Sequence, residues 1–172
     1  MKRSLVVLIA ALAWVACRMP EKPLEPGDKV RAFTTSTLDG DEFDVADLVG
    51  APYMLNIWAT WCAPCRHEMP ELQELHDKYA DEGFRVVGVS VDDHGARETI
   101  REFLAEVGVD FPIYHDPSGD IVQRYGFLGL PGTFLVDGEG RFVQRWAGEF
   151  RPMAEDVQES VRGVLAAASD QP

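Results

Sequence analysis

The sequence predicts an α/β fold in which a central mixed sheet is flanked by helices. Two observations carry this. Short apolar runs rich in β-branched residues alternate with stretches whose apolar residues recur every three or four positions, the pattern of strands and covering helices. The last two strand-like runs are joined by Asp137-Gly138-Glu139-Gly140, so the sheet closes on an antiparallel hairpin.

Each element has its own signal. Residues 32–37 and 42–45 flank Leu38-Asp39-Gly40-Asp41, and Asp-Gly between short runs predicts an N-terminal β-hairpin. After Gly50-Ala51-Pro52, the run 53–58 reads as a buried strand. A helix is expected over 63–80, its apolar stripe formed by Met69, Leu72, Leu75 and Tyr79. Pro70 lies inside it and is expected to kink it, because proline has no N–H for the carbonyl of Arg66. Residues 84–91 form the next strand, followed by a helix from Ala96 with Ile100, Phe103, Leu104 and Val107 on one face. Residues 111–114 suggest a short strand, and 118–125 a short helix. Strands are then expected over 133–136 and 141–147, and a last helix burying Met153, Val157, Val161, Val164 and Leu165.

The 172 residues fit one domain with an ordinary core. A net charge of -13 repels phosphate backbones and argues against a nucleic-acid partner. Three cysteines, at 17, 62 and 65, leave one early residue apart from a close pair, which is not the framework of a disulfide-stapled mini-protein.

The first sixteen residues read as an export signal. Lys2 and Arg3 precede an uncharged apolar run over 5–16; a spanning helix needs ~20 such residues, so a dozen suits a secretory signal better. Cys17 at its border resembles the lipidation site of bacterial lipoproteins, although Trp14 stands where leucine is usual. Cleavage after Ala11-Leu12-Ala13 and an uncleaved short anchor are the competing readings. Pro20, Pro23 and Pro26 recur every third residue, which favours an extended tether over 17–27. The folded domain is expected over 28–172, exported and held at a membrane facing the periplasm or cell exterior.

The chemistry is expected at the junction of the 53–58 strand and the following helix, at Trp61-Cys62-Ala63-Pro64-Cys65. Two intervening residues on a first helical turn bring both sulfurs within bonding distance. Cys62 then meets the unpaired N–H groups and positive dipole end, which favour a thiolate. Cys65 is one turn further in and more buried. One thiol is thus poised to attack and the other to resolve. A structural zinc site needs four ligands; no second Cys-x-x-Cys exists, and His67, His76, His94 and His115 show no ligand spacing, so no metal is assigned. A purely structural disulfide across two residues would constrain the unfolded chain weakly.

The stretch Asn56-Ile57-Trp58-Ala59-Thr60-Trp61-Cys62-Ala63-Pro64-Cys65-Arg66-His67-Glu68-Met69-Pro70 resembles the active site of thioredoxin-like thiol–disulfide oxidoreductases of the TlpA/ResA type. Gly129-Leu130-Pro131-Gly132-Thr133-Phe134-Leu135-Val136-Asp137 resembles that family's second motif. The resemblance spans about residues 28–168. It implies a thioredoxin-like fold with an N-terminal β-hairpin and a central insertion around 92–114. It also implies a cis Leu130–Pro131 bond beside the cysteines, with the polar groups of Leu130 available to an extended substrate chain. Glu68 becomes the acid that tunes the pair and moves the proton of Cys65. Asn56 departs from ordinary thioredoxins, which carry a buried aspartate there; an amide takes no proton near neutral pH, which shifts that burden to Glu68 or water. Trp61 is expected beside the exposed sulfur, and Trp58 in the core or pocket wall.

Members of this family reduce disulfides in other proteins, often in cytochrome c maturation or copper-site assembly. The implied partners are a disulfide-containing protein substrate and a membrane-embedded thiol electron donor, with no cofactor, since the sequence carries no flavin or nicotinamide fingerprint. Two rivals stand beside this reading. A thiol peroxidase is disfavoured because Ala59, not Thr or Ser, lies three residues before Cys62. A copper-binding chaperone usually spaces its cysteines by three residues rather than two. The direction of electron flow is open at this level, because a thioredoxin site oxidises or reduces according to its potential.

Overall fold

The computed structural model describes residues 24–169. The expected signal, Cys17 and most of the tether lie outside that range. Strands β1 (Thr34–Thr37) and β2 (Glu42–Asp44) form the N-terminal hairpin, followed by a 3-10 turn at Val45–Leu48. Strand β3 (Tyr53–Trp58) leads into helix α1 (Ala63–Tyr79) and a second 3-10 turn at Ala80–Glu82. Then come β4 (Arg85–Ser90), α2 (Arg97–Val107), β5 (Ile113–His115) and α3 (Asp120–Arg124). The hairpin β6 (Gly132–Val136) and β7 (Phe142–Ala147) precedes the last helix, α4 (Glu155–Ser169).

All seven strands join one mixed sheet in the order β2-β1-β5-β4-β3-β6-β7. β3 sits inside it, parallel to β4 and antiparallel to β6. Both its faces are covered, which explains a run in which every residue is buried. Successive side chains of β3 alternate between the two faces. Met54 and Trp58 pack with α1, α2 and α4. Tyr53, Leu55 and Ile57 pack on the opposite face with Val45, Leu48, Ile121 and Phe142. Asn56 is in register with Met54 and Trp58, so its amide points toward α1.

The expected insertion supplies α2 and β5. β5 lies between β4 and β1 and joins the hairpin to the central sheet. It begins at Ile113, two residues later than the apolar pattern suggests; Phe111 instead packs in the core ahead of it. The first strand is also shorter than expected and starts at Thr34, while Phe33 is buried. Val45, expected to end a strand, opens the 3-10 turn capped by Asp44, whose carboxylate accepts from the Ala46 N–H. Helix α1 continues through Pro70, which stands on its exposed side. Met153 precedes α4 and is only partly buried, whereas Val157, Val161, Val164 and Leu165 form the buried face. The end of the expected tether packs on the domain: Leu24 is buried, and the Gly27 N–H donates to the Phe142 carbonyl.

Candidate functional site

β3 ends at Trp58, and its chain turns through Ala59-Thr60-Trp61 to enter α1 at Ala63. The Cys62 N–H closes that turn on the Ala59 carbonyl at 3.1 Å. Cys62 is the N-cap of α1, with Pro64 in the first turn, where proline's missing N–H costs nothing. Cys62 and Cys65 are joined in a disulfide, their Cα atoms 5.3 Å apart. The Cys65 N–H also points at the Cys62 sulfur across 3.3 Å. Once the bond is reduced, a negative sulfur at Cys62 has a donor and a helix N-terminus facing it. No equivalent donor serves Cys65 among the described residues.

The asymmetry in burial is narrower than the sequence suggests. Cys62 is 6% exposed and Cys65 fully enclosed. Both belong to the core beneath α1, and Leu130 packs against that cluster. Trp61 is the large exposed side chain of the motif, at 69%. Trp58 is core: it is fully buried, beside the ring of Phe103.

Glu68 lies three residues beyond Cys65 on α1, one turn along the same face. It is not a solvated helix glutamate, being only 2% exposed. Its Oε1 accepts from the Asn56 amide at 2.8 Å, and Oε2 has no hydrogen-bond partner among the described residues. Burial pushes the carboxyl up to about 8; the Asn56 amide and the nearby Phe150 N–H pull the other way, and the charge of Glu149 adds to the rise. At neutral pH Glu68 therefore holds a proton, in the range where a thiol exchanges one.

The same Asn56 amide donates to the Thr133 hydroxyl, also at 2.8 Å. Asn56 and Thr133 face each other in the β3–β6 register. A buried line therefore runs from Thr133 through Asn56 to Glu68, beneath the disulfide. Sequence reasoning gives Thr133 no role beyond that of a strand residue. Its available signal is its place two residues after Pro131, opposite the one polar residue of β3.

The second motif reaches the same end of the sheet. Leu130–Pro131 is cis, and the next residue, Gly132, pairs with Ile57. Gly132 packs closely under Phe127: a Cβ there would fall 2.7 Å from that ring. Pro131 is buried and Leu130 half-buried. Leu128, fully exposed, precedes them and has no distinguishing mark in the sequence. On the helix side, His67 and Glu149 approach to 3.5 Å, both largely exposed. The signal for Glu149 is weak, a lone acid in the loop after β7.

The histidines take separate structural positions. The His76 ring accepts from the Val86 N–H, and His115 is buried against the Asp92 carbonyl. Among the described residues, no group of three or more His, Cys, Asp or Glu side chains could hold a metal ion. Among them also, no helix is long and apolar enough to cross a membrane.

The AhpC/TSA family profile matches residues 26–145. The thiol–disulfide oxidoreductase ResA of Bacillus thuringiensis subsp. konkukian is 33% identical over 129 residues, 75% of this chain and 73% of the relative. That of Geobacillus thermodenitrificans is 31% identical over 163 residues, covering 93% and 91% of the two chains. A solved structure from Chlorobium tepidum, named as a thiol:disulfide interchange protein DsbE, superposes with a TM-score of 0.75 at 31% identity, over 83% of this chain and 99% of that one.

Proposed function

The chain belongs to the AhpC/TSA family and, within it, to the ResA-type thiol–disulfide oxidoreductases, and we propose that it reduces disulfides in partner proteins outside the cytoplasm. Cys62 is the attacking sulfur. Its thiolate displaces one sulfur of the partner's disulfide, forming a mixed disulfide and releasing a partner thiolate that takes a proton. Cys65 then attacks the Cys62 sulfur, the second partner thiol leaves, and the Cys62–Cys65 disulfide remains. Two electrons pass to the partner. The carboxyl of Glu68, protonated in the disulfide form, gives its proton to Cys65 when that sulfur is released on re-reduction, and the carboxylate so left takes it back when Cys65 attacks.

One observation carries this reading: the Cys65 N–H faces the Cys62 sulfur at the start of α1, while Cys65 and Glu68 lie enclosed behind it. An ionised sulfur is stabilised at the mouth and a proton-bearing acid is held inside. Trp61 and the backbone of Leu130 flank the mouth and suit an extended chain. A separate donor returns the electrons, because the chain carries no fingerprint of a flavin or nicotinamide site; export, together with likeness to the family, supports a membrane-embedded thiol protein as that donor. The charged start, the apolar run and Cys17 support export and attachment to a membrane. Cytochrome c maturation or copper-site assembly is the setting this class of protein suggests.

Replacing Cys65 with Ser tests the route. The variant is expected to accumulate covalent adducts through Cys62 that dithiothreitol dissolves. An alkylatable Cys62 that captures no partner would overturn it. Equilibration of the wild type against thiol buffers of known potential fixes the direction: a strongly oxidising value would make the protein an oxidant instead.

A further inference from the structure

A second enclosed polar cluster adjoins the turn before Cys62. Asp92 follows β4 by two residues and is 3% exposed. Its carboxylate takes the Thr60 N–H at 3.0 and 3.2 Å, the Thr60 hydroxyl at 2.6 Å and the Ser90 hydroxyl at 2.7 Å. The Asp92 N–H donates back to the Ser90 hydroxyl at 3.1 Å. The carbonyl of Asp92 is 2.9 Å from His115 Nε2; a carbonyl only accepts, so that nitrogen carries the hydrogen. The carbonyl of His115 in turn takes the Thr35 hydroxyl at 2.6 Å. Asp92 is thus fixed to β4 and β5, with β1 braced behind His115, and grips Thr60, two positions ahead of Cys62.

We propose that Asp92 is a positioning residue for the attacking sulfur, holding the Ala59–Trp61 turn so that Cys62 meets the Cys65 N–H. This rests on Cys62 being the attacking thiol. The turn is held from both sides. Asp92 takes the N–H and hydroxyl of Thr60, while the guanidinium of Arg66, on the first turns of α1, approaches the Thr60 carbonyl at 3.4 Å. The Val91 N–H ties the Trp58 carbonyl just before it at 2.9 Å. The Cys62 sulfur is 3.3 Å from its donor, an ordinary separation for a sulfur acceptor, and hydrogen bonds weaken steeply with misalignment. A small rotation of an unanchored turn therefore removes the thiolate's donor.

The sign of the effect separates positioning from bare charge. A carboxylate acting only as a nearby negative charge would disfavour the Cys62 thiolate, and Asp92→Asn would make Cys62 ionise more easily. A carboxylate that positions the turn does the reverse.

The experiment follows iodoacetamide labelling of Cys62 against pH on the reduced full chain, with the Cys62 peptide identified by mass. The variants are Asp92→Asn, Thr60→Val, Thr60→Ser and, as a control destabilised through α4 with the Thr60 hydrogen bonds intact, Val161→Ala. Asp92→Asn is expected to move the labelling midpoint upward and slow labelling at pH 6 about tenfold, and Thr60→Val about threefold, as lost buried hydrogen bonds warrant. Thr60→Ser keeps both donors and should stay within about twofold of wild type. Val161→Ala should lower Tm and leave the midpoint where it is. If Asp92→Asn does not fold, the Thr60→Val and Thr60→Ser pair decides alone. Unmoved or lowered midpoints in Thr60→Val and in any folded Asp92→Asn would overturn the proposal. A wild-type Cys62 that titrates like an ordinary free thiol would overturn the attacking-thiol reading itself, and the proposal with it.

Discussion

Asn56 and Glu68 are twelve residues apart in sequence and joined by a single 2.8 Å bond from amide to carboxyl, both sealed from solvent beneath the cysteine pair. The amide cannot take the proton and the carboxyl holds one at neutral pH, so the arrangement stores a proton at Glu68 without placing two like charges together. An aspartate at position 56 would have made such a pair.

That stored proton has a measurable stability signature. The folded Glu68 titrates near 8 instead of 4.5. Below pH 4.5 both folded and unfolded forms are protonated and nothing is lost. As pH rises toward 8 only the unfolded chain releases the proton, so folding loses stability across that window. Glu68→Gln is neutral throughout and escapes this loss. Urea unfolding of the oxidised proteins should show the variant gaining on wild type between pH 5 and 8 by about 3–5 kcal/mol, since each pH unit separating the folded and unfolded titrations is worth about 1.36 kcal/mol. Parallel curves would show that Glu68 is charged in the folded state.

Asn56→Leu removes the donor shared by Glu68 and Thr133 while keeping the volume apolar. The expected cost is about 1–3 kcal/mol, from two acceptors left without their donor. The midpoint of Glu68 should rise further, because the amide had been lowering it. Carboxyl carbon shifts followed by NMR across pH 6–10 would register the move; a falling midpoint contradicts it.

Gly132→Ala tests the packing that holds the cis-proline loop against β3. The new methyl would meet the Phe127 ring at 2.7 Å, and such overpacking costs roughly 1–3 kcal/mol. Pairing it with Phe127→Leu should recover part of the loss in a thermal melt. If the two losses simply add, the contact is not the cause.

Trp61→Ala separates docking from chemistry. Trp61 is mostly exposed, so folding stability should stay within about 0.5 kcal/mol of wild type. Exchange with small thiols should be unchanged, while reduction of a folded protein disulfide slows severalfold. Equal slowing with both substrates would assign Trp61 to the cysteines rather than to the partner.

Much of this is legible along the chain. The bounds of β3 and the start of α1 follow from a run apolar but for Asn56, ended by a turn and a Pro-bearing first helical turn. The cysteine pair and Leu130–Pro131 announce themselves by spacing and motif. Phe111 and Val45 mislead because an apolar residue beside a strand looks like part of it, whether or not it enters the ladder. Thr133, Asp92 and Glu149 escape notice because apolar periodicity says nothing about the surroundings of a polar side chain.

The order of residues by itself determined the elements, the side of each that is buried, and the identity and spacing of the two sulfurs. Those are local properties, set by side-chain period, caps and proline. Only the tertiary structure decided that Glu68 is enclosed and protonated, that Asn56 links it to Thr133 from a strand 77 residues away, and that Asp92 grips the turn before Cys62. Burial and hydrogen bonding fix those properties, and both depend on which strands become neighbours.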